Sequence, residues 1–235
     1  MTTDEIMKAL EKYGDPQTKK TYLRHGAKEP FFGVKVGDLK KILQKTQKNH
    51  QLSLELYNTG NSDAMYLAGL MADEKKITRQ QLENWVDGAY WYFLSEYAVP
   101  WVAAETEFGF DLGNKWINSD RENIAAAGWS TLSYYASVNS DEKLDIEAYS
   151  KLLDRVEDRI DSAQNRVRHT MNGFVIATGT YIGKLTSKAL KVAKNIGKVK
   201  VNMGDTACKV PHAVEYLQKA LEKGRVGKKR KSARC

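Results

Sequence analysis

Cysteine and proline are scarce, with two and four among 235 residues. Cys208 and Cys235 are too few for a disulfide framework or a zinc site, so a reducing, cytoplasmic setting is expected. No apolar run approaches the ~20 residues that span a bilayer, and the N-terminus, MTTDEIMKALEKYG, lacks the basic-then-apolar pattern of a secretory signal. A membrane partner is therefore not expected. His25, His50, His169 and His212 are scattered without metal-ligand spacing, so no metal is expected. The glycines of residues 173–183 form no GxGxxG after a strand, and no cofactor is expected. What remains is 42% hydrophobic and 28% charged, enough apolar residue to bury a core and to exclude wholesale disorder.

The net charge of +8 is unevenly placed. Residues 184–235 hold 15 Lys/Arg against Asp205, Glu215 and Glu222, a local net of +12, while residues 1–183 hold 22 against 26, a net of −4. The sequence divides into a single domain over residues 1–224 and a basic C-terminal tail over 225–235. In that tail Lys228, Lys229, Arg230 and Lys231 follow one another. Such an arm suits a polyanion, because each cation that meets a phosphate releases condensed counterions. A solvated, solubilising tail is the alternative.

Helical periodicity recurs along nearly the whole chain, while alternation of apolar and polar residues is rare. Helices are predicted over residues 2–13, 16–25, 38–48, 61–72, 79–87, 90–108 (with a kink or restart at Pro100), 111–118, 121–138, 146–160, 166–181, 186–196 and 211–223. Residues 197–208 read as a loop or a short strand. Three predicted helices share a pattern: Ala68-Gly69-Leu70, Ala127-Gly128-Trp129 and Asn172-Gly173-Phe174 each set a small residue and a glycine before a large apolar one. The glycines are 59 and 45 residues apart. Stacked helical pairs with a period near forty predict an all-α fold, a right-handed α–α superhelix of HEAT-like repeats with a concave face. A compact bundle is the alternative.

The densest chemistry lies in Tyr90-Trp91-Tyr92-Phe93-Leu94-Ser95-Glu96-Tyr97. On a helix Tyr92 and Glu96 stand four apart and share a face. A carboxylate beside aromatic walls can stabilise a developing cation. Four adjacent aromatics also read simply as core. Trp116 and Trp129 read as core too, with Trp129 the one placed to reach a groove. Arg166 and Arg168, two apart on a helix, point in different directions, so one of them is placed for phosphate. Cys208 has no histidine or acid placed to activate it.

The aromatic stretch, with Val99-Pro100 after it, resembles the Trp-Trp-Asp-x-x-Asp-like motif of the DNA alkylation repair family, the AlkC/AlkD-like HEAT-like repeat DNA glycosylases. The resemblance extends to residues 124–132 and 166–181, about two-thirds of the chain. The tail GKKRKSARC is similar to that of a bacterial subgroup of the family. What the resemblance implies is a double-stranded DNA partner, alkylated or branched, and an N3- or N7-alkylpurine as the excised base. The family's catalytic aspartate falls on Glu96, the tryptophan four residues earlier on Tyr92, and the adjacent tryptophan on Trp91. Its arginine falls near Ala126 and a further tryptophan near Phe174. Trp91, Tyr92, Trp129 and Phe174 are thereby candidates for lesion contact, with Arg166, Arg168 and Lys228–Lys229–Arg230–Lys231 as candidates for phosphate.

A cationic alkylpurine leaves without strong acid catalysis. It needs rings that favour the cation, about 0.5–2 kcal/mol each, and a carboxylate near the sugar. Glutamate in place of aspartate moves the carboxylate by on the order of 1 Å, a shift that can cost ~100-fold in rate. The expectation is a DNA-binding protein of this family with weak or altered glycosylase activity. A nucleic-acid-binding module without chemistry and a protein-binding scaffold are the alternatives.

Overall fold

The computed structural model describes residues 1–234; Cys235 lies outside them. Among the described residues the regular structure is helical: α1 (Thr3–Tyr13), α2 (Pro16–Arg24), α3 (Val36–Thr46), α4 (His50–Asn58), α5 (Ser62–Met71), α6 (Arg79–Gly88), α7 (Val99–Ala104), α8 (Gly109–Trp116), α9 (Glu122–Val138), α10 (Ile146–Arg159), α11 (Asn165–Tyr181), α12 (Thr186–Ile196) and α13 (Ala213–Glu222). Local signals start these helices. Thr2 with Glu5 and Thr78 with Gln81 form capping boxes, while Asn49, Asn61 and Asp145 accept backbone N–H bonds at their helix starts. Helix α4 is absent from the sequence expectation, although Asn49 caps it and Leu52 and Leu56 stand four apart on its buried face.

The helices stack in two rows. Helices α5, α7, α9, α11 and α13 lie side by side, with α4, α6, α8, α10 and α12 packed behind them. One apolar core runs from α1 to α8 and a second from Ile117 to Leu217, with α9 contributing to both. This is the expected all-α superhelix. The glycine pattern explains only part of its packing. A Cβ on Gly69 would lie 2.8 Å from that of Ala98, and one on Gly128 only 2.5 Å from the backbone nitrogen of Ile117, so both mark close helix crossings. Gly173 faces open space, with nothing within 4 Å. In α11 the close crossing falls at Gly179, against Ala189 and Leu217.

Pro100 neither breaks nor restarts its helix. Phe93–Ala98 is one π-helical segment that runs directly into α7, and Val99 donates its backbone N–H to Leu94 five residues back. Proline supplies no N–H to the carbonyl of Glu96, and its ring would crowd that carbonyl in a regular α-helix. The wider π turn relieves both. Residues 197–212 form a loop without a strand.

The C-terminal segment departs most from expectation. Residues 225–234 are not a free arm. They run back across the C-terminal ends of α11, α9, α7 and α5 as a strap. The Lys229 ammonium donates to the carbonyls of Tyr181 and Ala136 and pairs with Asp141 at 2.9 Å. The Arg230 backbone N–H donates to Ser137. Ser232 and the Ala233 N–H donate to Glu105, and Arg234 bonds Ala72 while pairing with both Glu74 and Glu105 at 3.1 Å. Helix C-termini present unpaired carbonyls and partial negative charge, so cations are drawn to them.

The contrast between glycines is testable by thermal denaturation. Gly128→Ala forces a methyl into backbone and is expected to destabilise by about 1–3 kcal/mol. Gly173→Ala meets nothing and is expected to leave stability unchanged or raise it by up to about 1 kcal/mol through helix propensity.

Candidate functional site

The π turn, α2, α11 and the 197–212 loop converge on one cluster. Glu96 is carried by the turn, is 3% exposed, and faces the first turn of α11. The Arg166 guanidinium grips it through both arms, Nε to Oε1 and Nη2 to Oε2, each at 2.6 Å. His169, one helical turn further, places Nδ1 3.3 Å from Oε2. The guanidinium also lies 4.7 Å from the centre of the Tyr92 ring. The cluster thus combines the carboxylate, the ring and a cation in contact with both.

Arg166 is fixed from several sides. Its backbone N–H donates to Glu122, and Nη1 lies 3.6 Å from the Met203 sulfur. Burial alone would pull its pKa down, but the bonds to Glu96 and the charge of Glu96 outweigh that and raise it, so it stays a cation. The Tyr92 hydroxyl and His25 Nδ1 share a hydrogen bond at 3.0 Å. Burial first, then Tyr97, pushes the Tyr92 phenol well above its ordinary range. Burial, with Arg24 and Arg166 adding to it, lowers His25 below its ordinary value.

The loop covers this cluster from outside. Asn165 on α11 and Asn202 on the loop exchange two hydrogen bonds, at 2.7 and 2.8 Å. Gly204 then turns at φ +69°, where a side chain would sit 3.3 Å from the Arg24 carbonyl. Behind the cluster lies a cavity of about 220 Å³ lined by Tyr97, Tyr134, His169 and Arg230, smaller than the ~300–1,000 Å³ of a ligand pocket.

The other expected site residues disperse. Trp91 is buried, stacked on Phe93 at 4.5 Å, and donates its indole N–H to the His25 carbonyl, so it packs the interior. Trp129 and Phe174 are fully buried against each other, 5.1 Å between rings, with Tyr149 stacked on Phe174. They serve the second core because their large apolar area is worth most out of water. Glu96 itself is buried, with Arg166 on both of its oxygens. Arg166 is that partner, committed to the ion pair. Arg168 is half-buried and makes no ion pair among the described residues. Lys228 and Lys231 are exposed, Lys229 is bound within the strap, and Arg230 is half-buried between cavities. His25, His169 and Met203 join the cluster without having been singled out for it; His169 could have been found from its spacing to Arg166, the other two from nothing local.

The sequence profile described as DNA alkylation repair enzyme matches residues 6–217. The chain belongs to the DNA alkylation repair enzyme family. Among relatives, an uncharacterized protein of Listeria innocua is 34% identical over 227 residues, covering 94% of this chain and 97% of its own. One of Listeria monocytogenes is 34% identical over 226 residues with the same coverage. A solved structure matches over 100% of both chains with a TM-score of 0.90 and 38% identity. It is described as a new family of proteins related to the HEAT-like repeat DNA glycosylases with affinity for branched DNA structures. No helix among the described residues is long and apolar enough to cross a membrane. No group of three or more His, Cys, Asp or Glu among them could hold a metal.

Two measurements test the cluster. Arg166→Met strands the buried Glu96 carboxylate and is expected to cost about 3–5 kcal/mol in denaturant titration. The double variant with Glu96→Gln should recover most of that loss. For His25 the folded-state pKa lies below the unfolded one, so its contribution is present above the ordinary histidine pKa and lost as pH falls through the folded value. Between about pH 7 and pH 5, the wild type should therefore lose more thermal stability than His25→Asn, which keeps a hydrogen-bond partner for Tyr92 without titrating.

Proposed function

We propose that this family member binds DNA, branched forms included, and excises alkylated bases weakly or not at all. The observation that carries this reading is the bidentate Arg166–Glu96 pair against Tyr92. A ring and a carboxylate together form a cradle that favours a cation. In a glycosylase of this kind the cation would be the alkylated base and the developing sugar charge. Here the protein's own guanidinium fills the cradle. Freeing Glu96 to act on a sugar would leave two largely buried charges unpaired, at several kcal/mol, and each 1.4 kcal/mol is tenfold in rate.

The position of the family's arginine supports the same reading. It falls near Ala126, which is fully buried and bears no charge for phosphate. Binding without excision agrees with the affinity for branched DNA described for the solved relative. The exposed Lys198, Lys200 and Lys209 of the covering loop give the cluster's outer side a positive rim for the DNA backbone.

Purified protein incubated with duplex bearing N7-methylguanine and N3-methyladenine should release no base above the spontaneous rate, read by chromatography. Fluorescence anisotropy should show salt-dependent binding, tighter for a four-way junction than for linear duplex of equal length. Base release that disappears with Glu96→Gln would instead identify an active glycosylase.

A further inference from the structure

The basic residues at the C-terminus divide into two groups. Lys229 and Arg234 anchor the strap to carbonyls and to Asp141, Glu74 and Glu105. Lys219, Lys223, Arg225, Lys228 and Arg230 instead line a groove of about 690 Å³ between α11, α13 and the strap. Among the described residues none of these five is in an ion pair, and four of them are exposed. Glu215 is the single acid on the groove among the described residues, and His212 lies 3.4 Å from it.

Five unpaired like charges around one concavity repel each other and raise the local concentration of a polyanion. The groove also carries aromatic rings. Tyr181 lies on its α11 side, and Tyr216 is 54% exposed on α13. Tyr216, Lys219 and Lys223 are spaced three and four apart, so they share one helix face. Lys228 and Arg230 stand on the strap. Cations on both walls suit one backbone passing between them, where a duplex would meet only one wall. An exposed ring adds nothing to a duplex with stacked bases, but gives an unpaired base a surface to stack on.

We propose that this groove binds a single strand of DNA, its phosphates held by Lys219, Lys223 and Arg225 and by the strap, with a base stacked on Tyr216. The proposal rests on the DNA-binding reading and deepens it, because forks and flaps are branched structures that carry an unpaired arm. The groove lies on α13 and the strap and involves none of the residues of the Glu96 cluster.

The test uses full-length protein and fluorescence anisotropy with oligo(dT), a flapped duplex, a four-way junction and a blunt duplex. Lys219→Gln/Lys223→Gln/Arg225→Gln should weaken binding to oligo(dT) and to the flap, and lower the slope of log affinity against log salt by about two units. Tyr216→Ala should weaken the same two ligands about tenfold, Tyr216→Trp should not, and the blunt duplex should change far less in every variant. Wild-type binding to the junction with unaltered oligo(dT) and flap binding in both variants overturns the groove and leaves the DNA-binding reading intact. Failure of the wild type to bind any of the four DNAs removes that reading and the groove with it. Binding of poly-glutamate more tightly than oligo(dT) assigns the groove to an acidic protein and also overturns the proposal. Should the triple variant melt early, Tyr216→Ala, a change at an exposed side chain, decides the question alone.

Discussion

A guanidinium and a carboxylate that cannot leave each other organise this molecule. Glu96 comes from a π turn and Arg166 from the first turn of α11, seventy residues later, and the two meet where water barely reaches. A charge in such a place is costly unless paired and fully hydrogen-bonded. The pair therefore fixes the π turn against α11, holds Tyr92 over the guanidinium, and gives the covering loop a surface to close on. Pro100 contributes from one turn away, because the widened helix it imposes is what carries Glu96.

The same electrostatic logic runs at the opposite ends of the helices. Four helices of one row end in carbonyls and acids along one edge, and the strap lays Lys229 and Arg234 across them. A segment that looks in sequence like a free cationic arm is thus partly a structural brace. Three of its remaining cations, Arg225, Lys228 and Arg230, are left facing a groove. Anchored and exposed cations are interleaved, Lys228 exposed and Lys229 bound to carbonyls.

Much of the fold was legible. Caps at Thr2, Asn61 and Thr78, the 3.6-residue periodicity and the scarcity of proline are local properties, and local rules read most helix ends to within a residue or two, although the stretch predicted over 90–108 ends at Ala104. Helix α4 escaped because its nine residues carry a short, weakly segregated pattern. The close crossings at Gly69 and Gly128 follow from a small residue on a buried helix face; Gly173 shows that the same pattern can face a cavity instead. The candidate site was legible only in part. Tyr92 and Glu96 were identified from their spacing, yet the partner that changes their meaning sits on another helix.

The sequence by itself determined most of the helices, their stacking in pairs, and which residues could form a ring-and-carboxylate cradle, because each of these follows from residue type and short-range spacing, and its resemblance to a known motif pointed to the family. Only the tertiary structure decided that Arg166 fills the cradle, that Trp91, Trp129 and Phe174 are packed away, and that Lys229 and Arg234 of the basic tail are tied down. Those outcomes depend on which charges and carbonyls meet across long stretches of chain. Pairing of that kind is set by the desolvation cost of leaving a buried group alone, which no local pattern records.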